Sequence, residues 1–449
     1  MTDHARELFR PRAAVSIVIA NMVGTGVFTS LGYQVVDIRS GFALMLLWTL
    51  GGVIAFCGAM SYAELGAAMP RSGGEYNFLG RIYHPAAGFV SGWISATAGF
   101  AGPTALAAIT FASYLGAAVP GVPEKTAAIL LVVILTIVHA THRRASGGVQ
   151  VAFTALKVLL IIGFCVLALI AIETPQDIQF WPADGDLAVI TGGAFAISLI
   201  FVNYAYTGWN VATYLSSELE DPKRNLPRVL GGGTLLVIVL YIALNYTFLI
   251  TAPMTAMAGQ EEIGYISAEY AFGANGARIM GLILALLLIS TVSAMIIAGP
   301  RVYQVIGQDH GMFRWLARTN RNGVPAFAIY AQGALTVTFI LTSSFKSILL
   351  FSGFTLALNT FVAVAGLFVL RWREPDLPRP FRAWGYPVTP LVFLALTGWT
   401  LIYVLRDEPS SGLLGLAVVA IGVVFYFATA HGRGPGLDTE EAAATQSDR

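Results

Sequence analysis

Two polar, glycine-containing interruptions fall inside long apolar stretches of the sequence. The first reads NMVGTGVF over residues 21–28, and the second reads NYAYTGWN over residues 203–210. Unwinding of a helix at such points leaves backbone N–H and C=O groups without intrahelical partners. A half-helix that starts after Gly26 would present N–H groups to an anion, and the half-helices that end before each interruption would present carbonyls to a cation. One site with both kinds of group suits a zwitterion such as an α-amino acid.

A charged residue, Lys157, lies in the apolar run VAFTALKVLLII. Charges inside membrane-length segments are expensive and usually serve function. Snorkelling of the ammonium group to an interface about two turns away is the alternative. The sequence leaves open whether Lys157 releases its proton during function or stays charged.

The composition defines the environment of these residues. The 449-residue chain is 56% hydrophobic and 11% charged, whereas a soluble domain usually carries about 25% charged residues, so most of the surface must face lipid. A net charge of +1 lacks the excess of basic residues that is typical of a nucleic-acid-binding protein. Cys57 and Cys165 lie inside apolar runs, so no metal site or disulfide framework is predicted. No nucleophile–base pair is apparent, and we expect neither enzyme activity nor a cofactor.

Apolar runs of about 20 residues, the length that crosses a bilayer, recur along the whole chain. They predict an all-α integral membrane protein with twelve transmembrane helices. The predicted spans are 13–36, 42–66, 86–115, 125–142, 148–171, 188–216, 229–251, 275–299, 325–343, 346–370, 388–406 and 411–430. Residues 1–12 and 431–449 form the two tails.

The distribution of Lys and Arg predicts the orientation. They concentrate in the tails and the even-numbered connections, which places both termini in the cytoplasm of a cell-membrane protein. The cations assigned to that side are Arg6, Arg10, Arg12, Arg71, Arg81, Arg143, Arg144, Lys223, Arg224, Arg228, Arg301, Arg314, Arg318, Arg321, Arg371, Arg373, Arg379, Arg382 and Arg433. The opposite loops hold Arg39, Lys125, Arg278, Lys346 and Arg406.

The two interruptions fall five spans apart, which indicates an inverted repeat of residues 13–171 and 188–370, followed by two further helices within 388–430. Close packing is the other explanation for membrane glycines, as for Gly88 and Gly92. We favour unwinding, because the Gly-x-Gly of the first stretch is matched by polar residues around the glycine of the second. Lipid cannot satisfy the freed backbone groups, so both breaks must line a cavity.

Longer motifs accompany the interruptions. They are GTGVF at 24–28, YAEL at 62–65, PRSGGEY at 70–76, AYTGWN at 205–210, ELEDPKRNLPR at 218–228, PRVY at 300–303 and DHGMF at 309–313. Together these motifs, which span residues 13–325, resemble the amino acid–polyamine–organocation (APC) superfamily, closest to its L-amino-acid transporter branch. The resemblance implies a LeuT-like five-plus-five inverted repeat with discontinuous helices 1 and 6.

The resemblance also implies roles for residues at the breaks. The N–H groups of Thr25 and Gly26 would receive the substrate carboxylate, and the carbonyls of Met22 and Tyr204 would receive its ammonium group. Tyr204 stands where the branch has a gating phenylalanine, so the aromatic lid gains a hydroxyl. Asn210 would tie the broken sixth helix to its neighbours. The other residues of the broken-helix gate are Gly24, Gly208 and Trp209.

For Lys157 the resemblance implies a replacement for the sodium ion of other members. The ammonium group would bridge carbonyls near Val23 and Gly24 and a hydroxyl on the eighth helix. Thr291 matches that position best, with Ser290 and Ser293 as its neighbours.

These inferences predict a sodium-independent secondary transporter that moves neutral L-amino acids by alternating access. The predicted path helices 1, 3, 6, 8 and 10 have no Asp or Glu in their middle, where a cationic side chain would stay unpaired. Exchange and proton symport stay open, as do the particular amino acid, the direction of net transport and a homo-oligomer. A sensor or channel on the same fold and a carrier of cationic amino acids or polyamines are the alternatives. We do not expect an accessory single-span subunit, because neither cysteine offers an anchor.

Overall fold

The computed structural model describes residues 10–141, 147–309 and 311–429. All regular elements in these ranges are helices. The predicted cytoplasmic cations Arg6, Arg143, Arg144 and Arg433, and the predicted tail at 431–449, lie outside the described residues.

The α-helices follow the predicted apolar runs. In chain order they are α1 Pro11–Met22, α2 Gly26–Asp37, α3 Gly41–Ala68, α4 Glu75–Ile82, α5 Pro85–Ile94, α6 Gly102–Ala118, α7 Glu124–Thr141, α8 Gly147–Ala171, α9 Asp186–Ile190, α10 Gly193–Tyr206, α11 Pro222–Thr251, α12 Met254–Met257, α13 Ile263–Asp309, α14 Ala326–Thr342, α15 Phe345–Arg373, α16 Val388–Asp407 and α17 Pro409–Thr429. A π-helix at Ser95–Ala101 joins α5 to α6, and 3₁₀-helices occupy Val211–Glu218 and Gly311–Ala317.

Ten helical segments of the described chain are long and apolar enough to cross a membrane. The chain is therefore an all-helical, multi-pass membrane protein. Two predicted spans are not among the ten. The span at 325–343 corresponds to α14, which has 17 residues, and the span at 188–216 is divided between α10 and the 3₁₀-helix Val211–Glu218. The count of twelve stays a prediction.

Three predicted boundaries are wrong. The sixth span begins at Gly193 instead of residue 188, because α9 is a separate short helix, and the seventh begins at Pro222 instead of residue 229. The eighth span, predicted at 275–299, begins as predicted just after Gly273, whose non-helical φ and ψ separate residues 263–272 from the rest of α13, but it continues to Asp309. The first part of α13 was missed because polar residues such as Glu269 place it outside the apolar run.

Helix α3 holds the broken segments in place. It packs against α10, α11 and α16, while α11 also packs against α1. Gly51, Gly52 and Gly58 of α3 face the side chains of Val202, Ile238 and Trp209 at distances that leave no room for a side chain of their own. Such small residues let neighbouring membrane helices approach closely.

One end of α3 is tied to α15 by a buried ion pair. The Arg371 guanidinium donates to both oxygens of the Glu64 carboxylate, from Nε at 2.8 Å and from Nη2 at 2.6 Å. The backbone N–H of Ala383 donates to the same carboxylate at 2.7 Å. Two parallel charge-assisted bonds fix geometry as well as charge, so this contact joins α3, α15 and the connection that leads to α16.

Candidate functional site

The first break separates α1 from α2. Residues 23–25 are not helical, and the Gly24 N–H donates to the Met22 carbonyl at 2.8 Å. Within residues 10–141, 147–309 and 311–429, the N–H groups of Thr25 and Gly26 form no hydrogen bond. They are free donors at the start of α2, where the helix dipole favours an anion.

The second break follows α10. The chain turns over residues 207–210 and continues as the 3₁₀-helix Val211–Glu218. The Thr207 N–H donates to the Tyr204 carbonyl at 2.9 Å. Gly208 has a φ of +112°, a conformation that residues with a Cβ atom rarely adopt, so the turn depends on glycine.

The two breaks touch each other through their glycines. A Cβ atom added to Gly26 would lie 2.5 Å from the Cα atom of Ala205. A Cβ atom added to Gly208 would lie 2.8 Å from the backbone carbonyl of Asn21. Each glycine therefore contacts the helix that the other break interrupts, and a side chain at either position would push the two segments apart.

Tyr241, which the sequence analysis did not single out, lies between the breaks. It is fully buried in α11, and its hydroxyl donates to the Met22 carbonyl at 2.5 Å and lies 3.1 Å from the Ala205 carbonyl. Because Gly24 also donates to Met22, both lone pairs of the Met22 carbonyl are engaged. An ammonium group at Met22 would compete with the Tyr241 hydroxyl. Nothing in the apolar sequence of α11 distinguishes this tyrosine beforehand.

Lys157 connects the first break to the eighth predicted span. Its Nζ donates to the Val23 carbonyl and to Thr291 Oγ1, each at 3.0 Å. Lys157 is 7% exposed, so its ammonium group lies among the helices and does not snorkel to the interface. The ammonium group thus meets one carbonyl of the first break and the hydroxyl that the sequence motifs favoured.

Both breaks line one cavity of about 1380 Å³. Its other lining residues include the apolar or small Gly99, Phe100, Pro103, Ala107, Met295, Gly353 and Leu356, and the polar but uncharged Thr291 and Asn359. The charged lining residues come from segments at one end of the molecule: Arg71, Glu75, Arg81, Glu218 and Arg301. The centre of the cavity is therefore uncharged, and its mouth is polar.

The π-helix Ser95–Ala101 forms part of the cavity wall through Ser95, Gly99 and Phe100. π-helical turns are rare and concentrate at functional sites. The sequence analysis did not predict this turn, because a π-helix adds one residue per turn in response to tertiary packing and leaves no distinctive motif.

The end of the molecule opposite the mouth is closed. The Tyr33 ring stacks on Phe345 with a centroid distance of 5.7 Å, and its hydroxyl donates to Glu261 Oε1 at 3.0 Å. Ser113 Oγ donates to the other oxygen of Glu261 at 3.0 Å. Burial raises the pKa of the Glu261 carboxyl, and these two hydroxyls offset part of that rise. None of these four residues lines the cavity, so the cavity does not extend to these contacts.

The remaining gate residues divide between the two sides of the second break. Tyr204 is buried and lines the same cavity as Thr25 of the first break. Trp209 packs edge-on against a tyrosine of α3 at a centroid distance of 4.8 Å. Asn210 Nδ2 donates to Glu75 Oε1 at 2.5 Å. Asn210 is thus tied to α4, and the partner that the sequence analysis missed is Glu75.

A multi-pass helical membrane protein with a solute-sized cavity between two broken helices has the features of a membrane carrier. The chain belongs to the amino acid permease family, whose sequence model matches residues 9–429. This family lies in the APC superfamily, so the resemblance drawn from the motifs is confirmed.

Several relatives have established names. The chain is 28% identical over 428 residues to the large neutral amino acids transporter small subunit 2 of Mus musculus, covering 92% of this chain and 79% of that protein. It is 26% identical over 430 residues to the Asc-type amino acid transporter 1 of Mus musculus, covering 92% and 79%. It is 26% identical over 434 residues to the b(0,+)-type amino acid transporter 1 of Rattus norvegicus, covering 93% and 87%. The family and these relatives are transporters, which supports amino acid transport over catalysis.

The contact between the breaks generates a test. We expect Gly26→Ala and Gly208→Ala each to lower amino acid uptake about tenfold or more, because the added methyl group meets backbone atoms that cannot rotate away. Uptake is measured in proteoliposomes and normalised to the monodisperse protein recovered. The control is Gly232→Ala in α11, where an added Cβ meets nothing within 4 Å. Uptake at the level of Gly232→Ala in both variants would contradict the contact.

Proposed function

We propose that the chain is a secondary transporter that moves neutral L-amino acids across the cell membrane by alternating access. The observation that carries the proposal is the meeting of two broken helices in one cavity. The free N–H groups of Thr25 and Gly26 suit a carboxylate, and the Tyr204 carbonyl, which keeps a lone pair, suits an ammonium group. Those two groups are common to all α-amino acids, so recognition of the side chain falls to the rest of the cavity.

The preference for neutral side chains follows from the charge distribution. The central wall between Gly99 and Ala107 and the facing residues Met295 and Leu356 carry no ionisable group. A cationic side chain would leave its charge unpaired in a medium of low dielectric constant. A carrier of cationic amino acids or polyamines is therefore the less favoured alternative.

Lys157 supports a sodium-independent cycle. Its ammonium group occupies a place between a freed backbone carbonyl and a hydroxyl, which is a suitable ligand set for a monovalent cation. Because the ammonium group is fixed at this place, no sodium ion is needed there. If Lys157 loses its proton during the cycle the transporter is a proton symporter, and if it stays charged the transporter is an exchanger.

Alternating access is supported by the asymmetry of the cavity. The end near Arg301 is open, while Tyr33, Glu261 and Phe345 close the other. By the positive-inside rule the open end faces the cytoplasm, along with both termini, in a twelve-span protein with a five-plus-five inverted repeat. Cys57 and Cys165 are both buried, so we propose that transport needs no disulfide-linked accessory subunit.

Uptake of radiolabelled Ala, Ser, Leu and Arg into proteoliposomes tests the substrate class. We expect saturable uptake of at least one neutral amino acid, accelerated severalfold by the same amino acid inside the vesicles. Such counterflow separates a carrier from a channel or a sensor, because only in a carrier does the binding site return across the membrane with internal amino acid bound. Arginine as the sole substrate would overturn the proposal, and so would linear uptake without acceleration.

Substitution of Lys157 tests the coupling site. We expect Lys157→Ala to lower uptake about tenfold or more, because the Val23 carbonyl and Thr291 lose a buried charge-assisted partner. Uptake is measured with and without a pH gradient, and loss of the gradient effect with exchange retained would favour proton symport. Lys125→Ala is the control, since Lys125 is exposed and, among the residues that the structure describes, donates only to the Leu341 carbonyl. Uptake by Lys157→Ala equal to that of the control would refute a role for Lys157.

A further inference from the structure

Glu75 is a buried carboxylate that the transport mechanism above does not use. It is the first residue of α4 and is 1% exposed. It receives hydrogen bonds from the Tyr62 hydroxyl at 2.9 Å, from Asn210 Nδ2 at 2.5 Å and from the Tyr214 hydroxyl. A buried charge is expensive unless its partners are well placed, and here three neutral donors surround it.

The two glycines that precede Glu75 position its carboxylate next to these partners. Gly73 and Gly74 precede it with φ values of +119° and +52°, a turn that residues with a side chain rarely form. A Cβ atom on Gly74 would lie 3.1 Å from the Tyr214 ring. The turn therefore places the start of α4 in direct contact with the 3₁₀-helix Val211–Glu218.

The three donors come from different elements. Tyr62 belongs to α3, Asn210 ends the second break, and Tyr214 lies in the 3₁₀-helix that follows it. Through Glu75 the irregular half of the second broken helix is joined to α3 and to α4.

In the described part of the chain, the corresponding half of the first broken helix shows a different pattern of side-chain bonds. Among the described residues, the side chains of Ser16 and Asn21 in α1 donate to carbonyls of α1 itself. From other elements, Tyr241 and Lys157 reach only the carbonyls at its C-terminal end. Of the two half-helices that flank the open mouth, one is therefore bonded to a buried carboxylate. The other, α1, is held by hydrogen bonds at its C-terminal end and by packing against α8 and α11.

We propose that Glu75 is a positioning residue for transport, whose carboxylate holds the 3₁₀-helix Val211–Glu218 against α3 and α4 during the change of access. The inference rests on the proposed function. A 3₁₀-helix has poorer hydrogen-bond geometry than an α-helix, so a segment of this kind needs partners from outside to act as a fixed wall. Glu75 touches none of the groups assigned to the substrate, so its loss acts on the rate of the conformational step and leaves binding intact.

The first test is Glu75→Gln. A glutamine carries one carbonyl oxygen and an NH₂ group, so it cannot accept from all three donors. We expect the maximal rate of exchange to fall about tenfold, equivalent to one lost charge-assisted hydrogen bond, while the Kd for the amino acid changes less than about threefold. The control is Glu220→Gln, an exposed carboxylate just beyond the same 3₁₀-helix, for which both values stay at the wild-type level.

Tyr214→Phe removes a single hydroxyl and keeps the test valid if Glu75→Gln yields little folded protein. We expect it to slow exchange in the same direction, and the double variant Glu75→Gln/Tyr214→Phe to be no slower than Glu75→Gln alone, because both changes break one contact. Exchange by well-folded Tyr214→Phe at the wild-type rate would overturn the inference. A weakened Kd with an unchanged rate would also overturn it. Absence of transport by the wild-type protein would instead reject the proposed function.

Discussion

Backbone groups inside a bilayer have no water to bond with, and the surroundings of the two broken helices follow from that constraint. The carbonyls freed at the end of α1 are engaged by side chains from α8 and α11, since Lys157 reaches Val23 and Tyr241 reaches Met22. The N–H groups at the start of α2 have no such partner in the part of the chain that the structure covers. The site thus keeps its donors free for an anion and satisfies only part of its acceptors.

The same constraint explains why the breaks meet. An unwound segment surrounded by lipid would be unstable, so the two breaks pack against each other. Gly26 contacts Ala205, and Gly208 contacts Asn21. Groups that lie far apart in the sequence are thereby brought to one cavity. The surroundings differ at the two ends: Tyr33 and Ser113 donate to Glu261 at one end, and Asn210 donates to Glu75 at the other.

Much of this arrangement could be predicted from the sequence. The length of the apolar runs gave most helix positions, and glycine with polar neighbours marked the breaks at 21–28 and 203–210. The contact between Lys157 and Thr291 was accessible only through the resemblance to a family, because no spacing in the sequence places α8 beside α13. The π-helix and the partners of Glu75 were not accessible. Both depend on tertiary packing, since Glu75 bonds to elements that are remote from it in the chain.

The central claim is that backbone groups at the two breaks hold both ends of a zwitterion. Competition binding tests it most directly, with the best radiolabelled substrate displaced by two analogues that keep its side chain. One analogue is the amino alcohol, which lacks the carboxylate, and the other is the acid that lacks the amino group. Each analogue loses charge-assisted bonds worth about 3 kcal/mol, so the account predicts that both compete about a hundredfold more weakly than the substrate. Competition by either analogue within about threefold of the substrate would contradict it.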